Sequence, residues 1–167
     1  MCRRILLAAL VSQAAVAQAP VPTPPNLKPL EFLLGNWTGI AGDKDTPLGA
    51  GMGDYSFEAQ LEGHIIVRRN QAKYDSGQSH DDLMVIYFED SKAAPYAIYF
   101  DGEGHVIHYR ASFPAAGVAV FESEAFAAGP RFRLTYAQAG AGLDGKFELA
   151  VPGQGFQSYM NWKSRRR

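Results

Sequence analysis

Short runs in which apolar and polar residues alternate follow one another along most of this chain. Between residues 131 and 136, for example, Phe, Leu and Tyr alternate with Arg, Arg and Thr. Successive side chains of a strand point to opposite faces, so this pattern predicts strands with one face toward an interior and the other toward water. The runs are separated by glycine, proline or aspartate. They predict strands over residues 36–41, 53–61, 64–74, 82–89, 96–101, 105–113, 117–126, 131–138, 145–151 and 156–164.

The links between these strands are short, which favours antiparallel neighbours. Ten such strands in sequence predict an all-β fold, an up-and-down β-barrel without an exposed sheet edge. The clearest turn is 101–104, where Gly102 and Gly104 permit the positive φ of a tight hairpin and Asp101 is the first turn residue. Before the first strand, the leucine spacing of residues 28–34 predicts a short helical turn against the barrel floor.

The N-terminus has the pattern of an export signal. Arg3 and Arg4 precede an apolar run over 5–11, and Ala15-Val16-Ala17 supplies a small-x-small cleavage site. We therefore expect residues 1–17 to be a signal peptide and the mature protein to be secreted or periplasmic. The prolines of residues 18–26 predict an extended linker, and residues 27–167 form the predicted barrel domain.

Composition excludes several classes of function. Removing residues 1–17 lowers the count of basic residues from 16 to 14 against 17 acidic residues, a balance that argues against a nucleic-acid partner. No stretch approaches the roughly 20 apolar residues of a membrane span. The single cysteine, Cys2, leaves with the signal, so the mature domain is expected to have no disulfide and no thiolate metal ligand.

One motif carries a family resemblance. Residues 32–39 read Phe-Leu-Leu-Gly-Asn-Trp-Thr-Gly and resemble the opening of calycin barrels, in the fatty-acid-binding-protein and nitrobindin branch rather than among true lipocalins. Residues 99–109 are similar to a group of exported bacterial lipocalin-like proteins. The resemblance implies structural roles for Gly35 and Trp37, with Trp37 at the closed end of the barrel beneath a cation of the last strand, Lys163 or Arg165.

Calycin barrels include carriers, haem proteins and a few enzymes, so the resemblance leaves the chemistry open. We expect a small, largely apolar ligand, such as a fatty acid or another lipid-like acid. Polar groups among aromatic residues on barrel strands would orient it, and an arginine fork matches a carboxylate. The candidate ligand-binding residues are Arg68, Tyr87, Tyr99, His108 and Arg110.

The register around residues 105–113 has two alternatives. In one, Val106, His108, Arg110 and Ser112 face the pocket. In the other, the opposite set (105, 107, 109, 111 and 113) faces inward, and His108 and Arg110 are solvated. A shift of one residue exchanges the two.

Three other interpretations stay open. Nitrobindin-like proteins bind haem through a late histidine, and the last histidine here is His108, so a haem protein or a barrel enzyme using His108 is an alternative, although no catalytic motif is present. A filled barrel serving as an envelope interaction protein is another, and a dimer is a third possibility. We predict no cofactor and no metal site, because His105 and His108 point to opposite faces of a strand.

Overall fold

Ten antiparallel strands close into a barrel in the part of the chain that the computed structural model describes, residues 27–42, 51–89, 92–124 and 129–167. The strands are β1 (Gly35–Gly42), β2 (Gly51–Gln60), β3 (Ile65–Tyr74), β4 (Ser79–Tyr87), β5 (Tyr96–Asp101), β6 (Val106–Ala115), β7 (Val118–Ser123), β8 (Arg131–Ala139), β9 (Gly142–Ala150) and β10 (Gln157–Arg166). The predicted signal peptide 1–17, with Cys2, and the predicted linker 18–26 lie outside the described residues.

Each strand pairs with its neighbours in sequence, and β1 pairs with β10 to close the ring. This confirms the predicted all-β barrel of ten strands. Closure satisfies the backbone groups that an open sheet would leave at its edges. The described residues contain no helix that is long and apolar enough to cross a membrane.

A short 3₁₀ helix, Lys28–Leu33, covers one end of the barrel. Leu30 and Leu33 on this helix are fully buried, as is Leu27 before it, so their apolar side chains form the floor of the interior. The Trp37 indole Nε1 donates a hydrogen bond of 2.7 Å to the carbonyl oxygen of Leu33. This bond ties the helix to the first strand, and the end of the barrel is closed as the sequence predicts.

The cation above Trp37 is Arg166. Its guanidinium carbon lies 4.4 Å from the indole ring centre, so the expectation of Lys163 or Arg165 was wrong. Strand β10 continues to residue 166 instead of ending at 164, and Arg166 pairs directly with Trp37 across the β1–β10 ladder. Alternation then places Lys163 and Arg165 on the outer face.

Gly35 has a structural reason to be glycine. Its φ is +121°, a conformation that side chains rarely adopt, and an added Cβ would overlap the Arg166 guanidinium. The same arginine donates from Nη1 to the carbonyl oxygen of Leu34 at 2.7 Å. Gly35 therefore leaves the space in which Arg166 lies above the indole.

The interior has two halves. Near the closed end, buried aromatic and aliphatic side chains fill the space; Phe57, Ile66, Met84, Phe121 and Tyr136 are at most 1% exposed. Toward the other end the interior is not filled, and a cavity opens between the strands. The fold thus combines a packed floor with a hollow upper half.

Candidate functional site

The open half of the barrel encloses a cavity of about 540 Å³. This volume lies within the range of small-molecule sites, roughly 300 to 1,000 Å³. The residues that line it are Gly39, Gly51, Gly53, Tyr55, Arg68, Asn70, Ala72, Tyr74, His80, Asp82, Tyr99, Asp101, Glu103, His105, Ile107, Tyr109, Phe132, Leu134, Phe147, Leu149, Tyr159, Met160 and Trp162.

The lining has two chemically different walls. Strands β3, β4 and β5 contribute polar side chains to one wall, whereas β8, β9 and β10 contribute apolar and aromatic side chains to the other. The order of strands around the barrel places β4 opposite β9. Phe132 and Phe147 stack on the apolar wall with ring centres 5.9 Å apart. The cavity is therefore amphipathic across its width.

Arg68 is the centre of the polar wall. It is only 6% exposed, and its guanidinium forms an ion pair with Asp82. Asn70 donates to the other oxygen of the same carboxylate at 2.9 Å. Burial alone would lower the pKa of the Arg68 guanidinium, but the Asp82 carboxylate raises it, so Arg68 stays protonated. Its Nε has no hydrogen-bond partner among the described residues.

His80 extends this network toward the rim. Its Nε2 lies 2.9 Å from the Tyr99 hydroxyl and 3.3 Å from an Asp82 oxygen, and its Nδ1 lies 3.2 Å from Glu103. The hydrogen bond to Asp82 and the contact with Glu103 outweigh partial burial and raise the pKa of His80 to about 9. Burial and the nearby Asp82 carboxylate raise the pKa of Tyr99, which keeps its proton. At neutral pH, His80 is therefore a second cation beside Asp82.

Asp101 organises the turn at the mouth of the cavity. Its Oδ1 accepts hydrogen bonds from the backbone N–H groups of Glu103 and His105 at 3.1 and 2.9 Å. Its Oδ2 contacts the His105 ring at 2.8 Å. The sequence-based prediction of Asp101 as the first residue of a hairpin turn is confirmed.

Three side chains of metal-ligand type meet at this mouth. Single ligand atoms of His80, Asp101 and Glu103 lie within 4.8 Å of one another. All three are engaged with protein partners in the hydrogen bonds described above. Among the described residues, these three side chains come closest to the arrangement of a metal site.

Of the candidate ligand-binding residues, Arg68 and Tyr99 line the cavity. Tyr87, His108 and Arg110 do not, and their assignment to the pocket was wrong. His108 and Arg110 are exposed on the outer face of β6, and the Tyr87 ring lies outside the cavity lining. His108 therefore does not face this cavity.

The register explains these corrections. Tyr99 pairs with Ile107 across the β5–β6 ladder, so the set that includes His105, Ile107 and Tyr109 faces inward. This was the second of the two register alternatives. His105 and His108 point to opposite faces, as predicted.

Sequence reasoning missed His80, Asp82 and Asn70 as cavity residues. The predicted fourth strand began at residue 82, whereas β4 begins at Ser79. With the longer strand, His80 and Asp82 continue the inward set of Met84 and Ile86, which are fully buried. The alternation of His80, Asp82, Met84 and Ile86 was the signal that the strand starts before residue 82.

No protein-family model matches the chain, and no curated protein matches its sequence. The crystal structure of Rv2717c from M. tuberculosis is similar, with a TM-score of 0.65, 16% identity, and coverage of 87% of this chain and 99% of that chain. A de novo designed fluorescence-activating β-barrel has a TM-score of 0.44 and 10% identity over 82% of this chain and 95% of its own. At these identities the likeness concerns the fold alone.

Proposed function

We propose that this protein is an exported, lipocalin-like barrel that binds one small, largely apolar molecule in the cavity, with an acidic end group beside Arg68. The observation that carries the proposal is a buried arginine in the wall of a cavity of about 540 Å³, with an Nε that has no partner in the part of the chain that the structure describes. A buried cation is costly unless it is paired and hydrogen-bonded; Asp82 pairs with Arg68, and a ligand oxygen would add a further acceptor. Export and membership of the calycin class rest on the sequence motifs.

The two walls support an amphipathic ligand. The apolar wall includes Leu134, Phe147 and Trp162, against which a hydrocarbon or ring system would be removed from water. The opposite wall offers N–H and O–H donors from Arg68, Asn70 and Tyr99. A ligand that lies between them buries its apolar body on one side and its polar group on the other.

The charges immediately around Arg68 support an acid in particular. Asp82 lies between two cations, Arg68 and protonated His80, so this trio has a net positive charge at neutral pH. Two further carboxylates lie at the mouth: Glu103 contacts His80 and is 48% exposed and screened by solvent, and Asp101 is bound by its own turn and by the His105 ring. A ligand carboxylate that reaches Arg68 would therefore meet two cations and one anion there, with His80 as the second cation.

Titration with cis-parinaric acid, a fluorescent fatty acid, tests the proposal. Trp162 lines the cavity and Trp37 lies at the closed end, and these are the two tryptophans of the chain. Energy transfer from Trp162 to the probe should therefore accompany saturable binding. In Trp162→Phe this signal should fall while the probe's own fluorescence still reports binding.

The test variant removes the charge of Arg68 without leaving its buried partner, Asp82, as an unpaired carboxylate. Arg68→Ala would leave Asp82 buried without its cation, which destabilises proteins, so we choose Arg68→Met combined with Asp82→Asn. Its affinity for the acid should fall by about one to two orders of magnitude, the loss of a charge-assisted hydrogen bond. Arg69→Ala is the control, because Arg69 is exposed on the outer face. Equal affinities in all three proteins, or no saturable binding to the wild type, would remove the proposal.

A further inference from the structure

The Tyr136 hydroxyl is a buried polar group in the packed half of the barrel. Tyr136 is fully buried on β8, and its hydroxyl has no hydrogen-bond partner among the described residues. Its ring contacts Tyr55 and Trp162, with ring centres 6.1 and 5.8 Å away. Both of those residues line the cavity, so Tyr136 lies directly beneath the cavity lining.

Tyr136 approaches Arg68 from the opposite side of the barrel. Strands β8 and β3 lie across the ring from each other, and the Arg68 charge acts on the Tyr136 hydroxyl. Burial raises the pKa of the Tyr136 hydroxyl, whereas the Arg68 guanidinium lowers it by its charge and as a neighbouring hydrogen-bond donor, which reflects the closeness of the two groups. The Arg68 Nε is the other buried polar atom without a partner among the described residues.

These two groups leave a surplus of hydrogen-bond donors. If the Tyr136 oxygen accepts the Arg68 Nε–H after a small adjustment, the Tyr136 hydrogen itself still lacks an acceptor. The nearby polar groups already have partners: Asp82 accepts from Arg68 and Asn70, and the Tyr55 hydroxyl is hydrogen-bonded to Ser164 at 2.9 Å. Phenylalanine would fill the same space without an unsatisfied hydroxyl, so packing does not account for the tyrosine.

We propose that Tyr136 is a positioning residue that, together with Arg68, selects ligands whose buried end carries a carboxylate or carbonyl oxygen. This inference rests on the proposed function and deepens it. The ligand oxygen accepts from Arg68, and the Tyr136 hydroxyl orients that guanidinium from below. The Tyr136 hydrogen has no acceptor among the described residues, and the ligand oxygen supplies one, since a guanidinium has donors only.

Three probes and one substitution test this role. The probes are cis-parinaric acid, its methyl ester, and N-phenyl-1-naphthylamine, which has no oxygen. In Tyr136→Phe, affinity for the oxygen-bearing probes should fall by about tenfold, the effect of one hydrogen bond to a buried group. Affinity for N-phenyl-1-naphthylamine should stay within about twofold. The empty Tyr136→Phe protein should melt at the same temperature as the wild type or higher.

Stability provides a second comparison. Tyr55→Phe also removes one hydroxyl, but that hydroxyl is bonded to Ser164, so its melting temperature should fall. A merely structural Tyr136 would behave like Tyr55 in the melt and would change the affinity for all three probes together.

The outcomes separate the two proposals. A selective loss with the acid alone supports the inference for a carboxylate, and a loss with both acid and ester supports it for carbonyl oxygens in general. Unchanged selectivity in Tyr136→Phe overturns the inference while the wild type still binds, which leaves the proposed function standing. If the wild type binds none of the probes, both proposals fall.

Discussion

Removal of the Arg166 side chain should weaken the closed end of the barrel. Its guanidinium lies 4.4 Å from the Trp37 ring centre and donates to the Leu34 carbonyl oxygen at 2.7 Å. A cation–π contact at an exposed site contributes about 0.5 to 1 kcal/mol, and a hydrogen bond contributes about 1 kcal/mol. Arg166→Ala should therefore lower the free energy of unfolding by about 1 to 2 kcal/mol, a fall in Tm of about 3 to 8 °C.

Urea unfolding followed by tryptophan fluorescence measures this loss, and the neighbouring arginine provides the control. Arg165→Ala should change the free energy of unfolding by less than about 0.5 kcal/mol, because Arg165 is exposed on the outer face. Trp37→Ala sets the upper limit, since losing a buried tryptophan costs about 3 to 5 kcal/mol. Equal losses in the two arginine variants, or a stable Trp37→Ala protein, would refute this account of the closed end.

Three further perturbations have defined outcomes. Basic neighbours, chiefly Arg133, hold the pKa of the Glu148 carboxylate at about 2, against a usual 4.5. Its stabilisation is therefore present above pH 4.5 and lost as the pH falls toward 2. Between those pH values the free energy of unfolding of Glu148→Gln should fall by about 1 kcal/mol less than that of the wild type. The pKa of His80 is raised to about 9, chiefly by Asp82, so its stabilisation is complete below pH 6.5 and lost as the pH rises through 9. The melting temperature of His80→Gln, measured against pH, should not show this loss. Gly145→Ala would place a Cβ against the Trp162 ring, and should cost about 1 to 3 kcal/mol and change the near-UV circular dichroism.

The barrel was predictable because period-two alternation and short links are local signals. The strand set and the turn at Asp101 follow from patterns that a few neighbouring residues carry. The ends of strands depend on cross-strand pairing, and two of them, the start of β4 and the end of β10, differ from the prediction in ways that matter here. Extension of β10 to residue 166 exchanged Lys163 and Arg165 for Arg166 above Trp37.

The candidate site was predictable only in part, because a pocket depends on register. Arg68 and Tyr99 were found as polar residues on predicted strands. His108 was not separable from His105 as the inward residue, since a shift of one position exchanges the faces. The partnership of Arg68 with Asp82 joins two strands across their ladder. No local pattern in the sequence indicates such a contact.

A matched pair of substitutions tests most directly whether the barrel cavity binds a ligand. Ala72 lines the cavity and the adjacent Lys73 is exposed on the outer face of β3, so Ala72→Phe fills the site and Lys73→Phe adds the same ring outside. The measurement is the dissociation constant for cis-parinaric acid in both variants, with the melting temperature as a check on folding. We predict wild-type affinity in Lys73→Phe and a loss of at least about tenfold in Ala72→Phe. Equal affinity in the two folded variants would contradict binding inside the barrel.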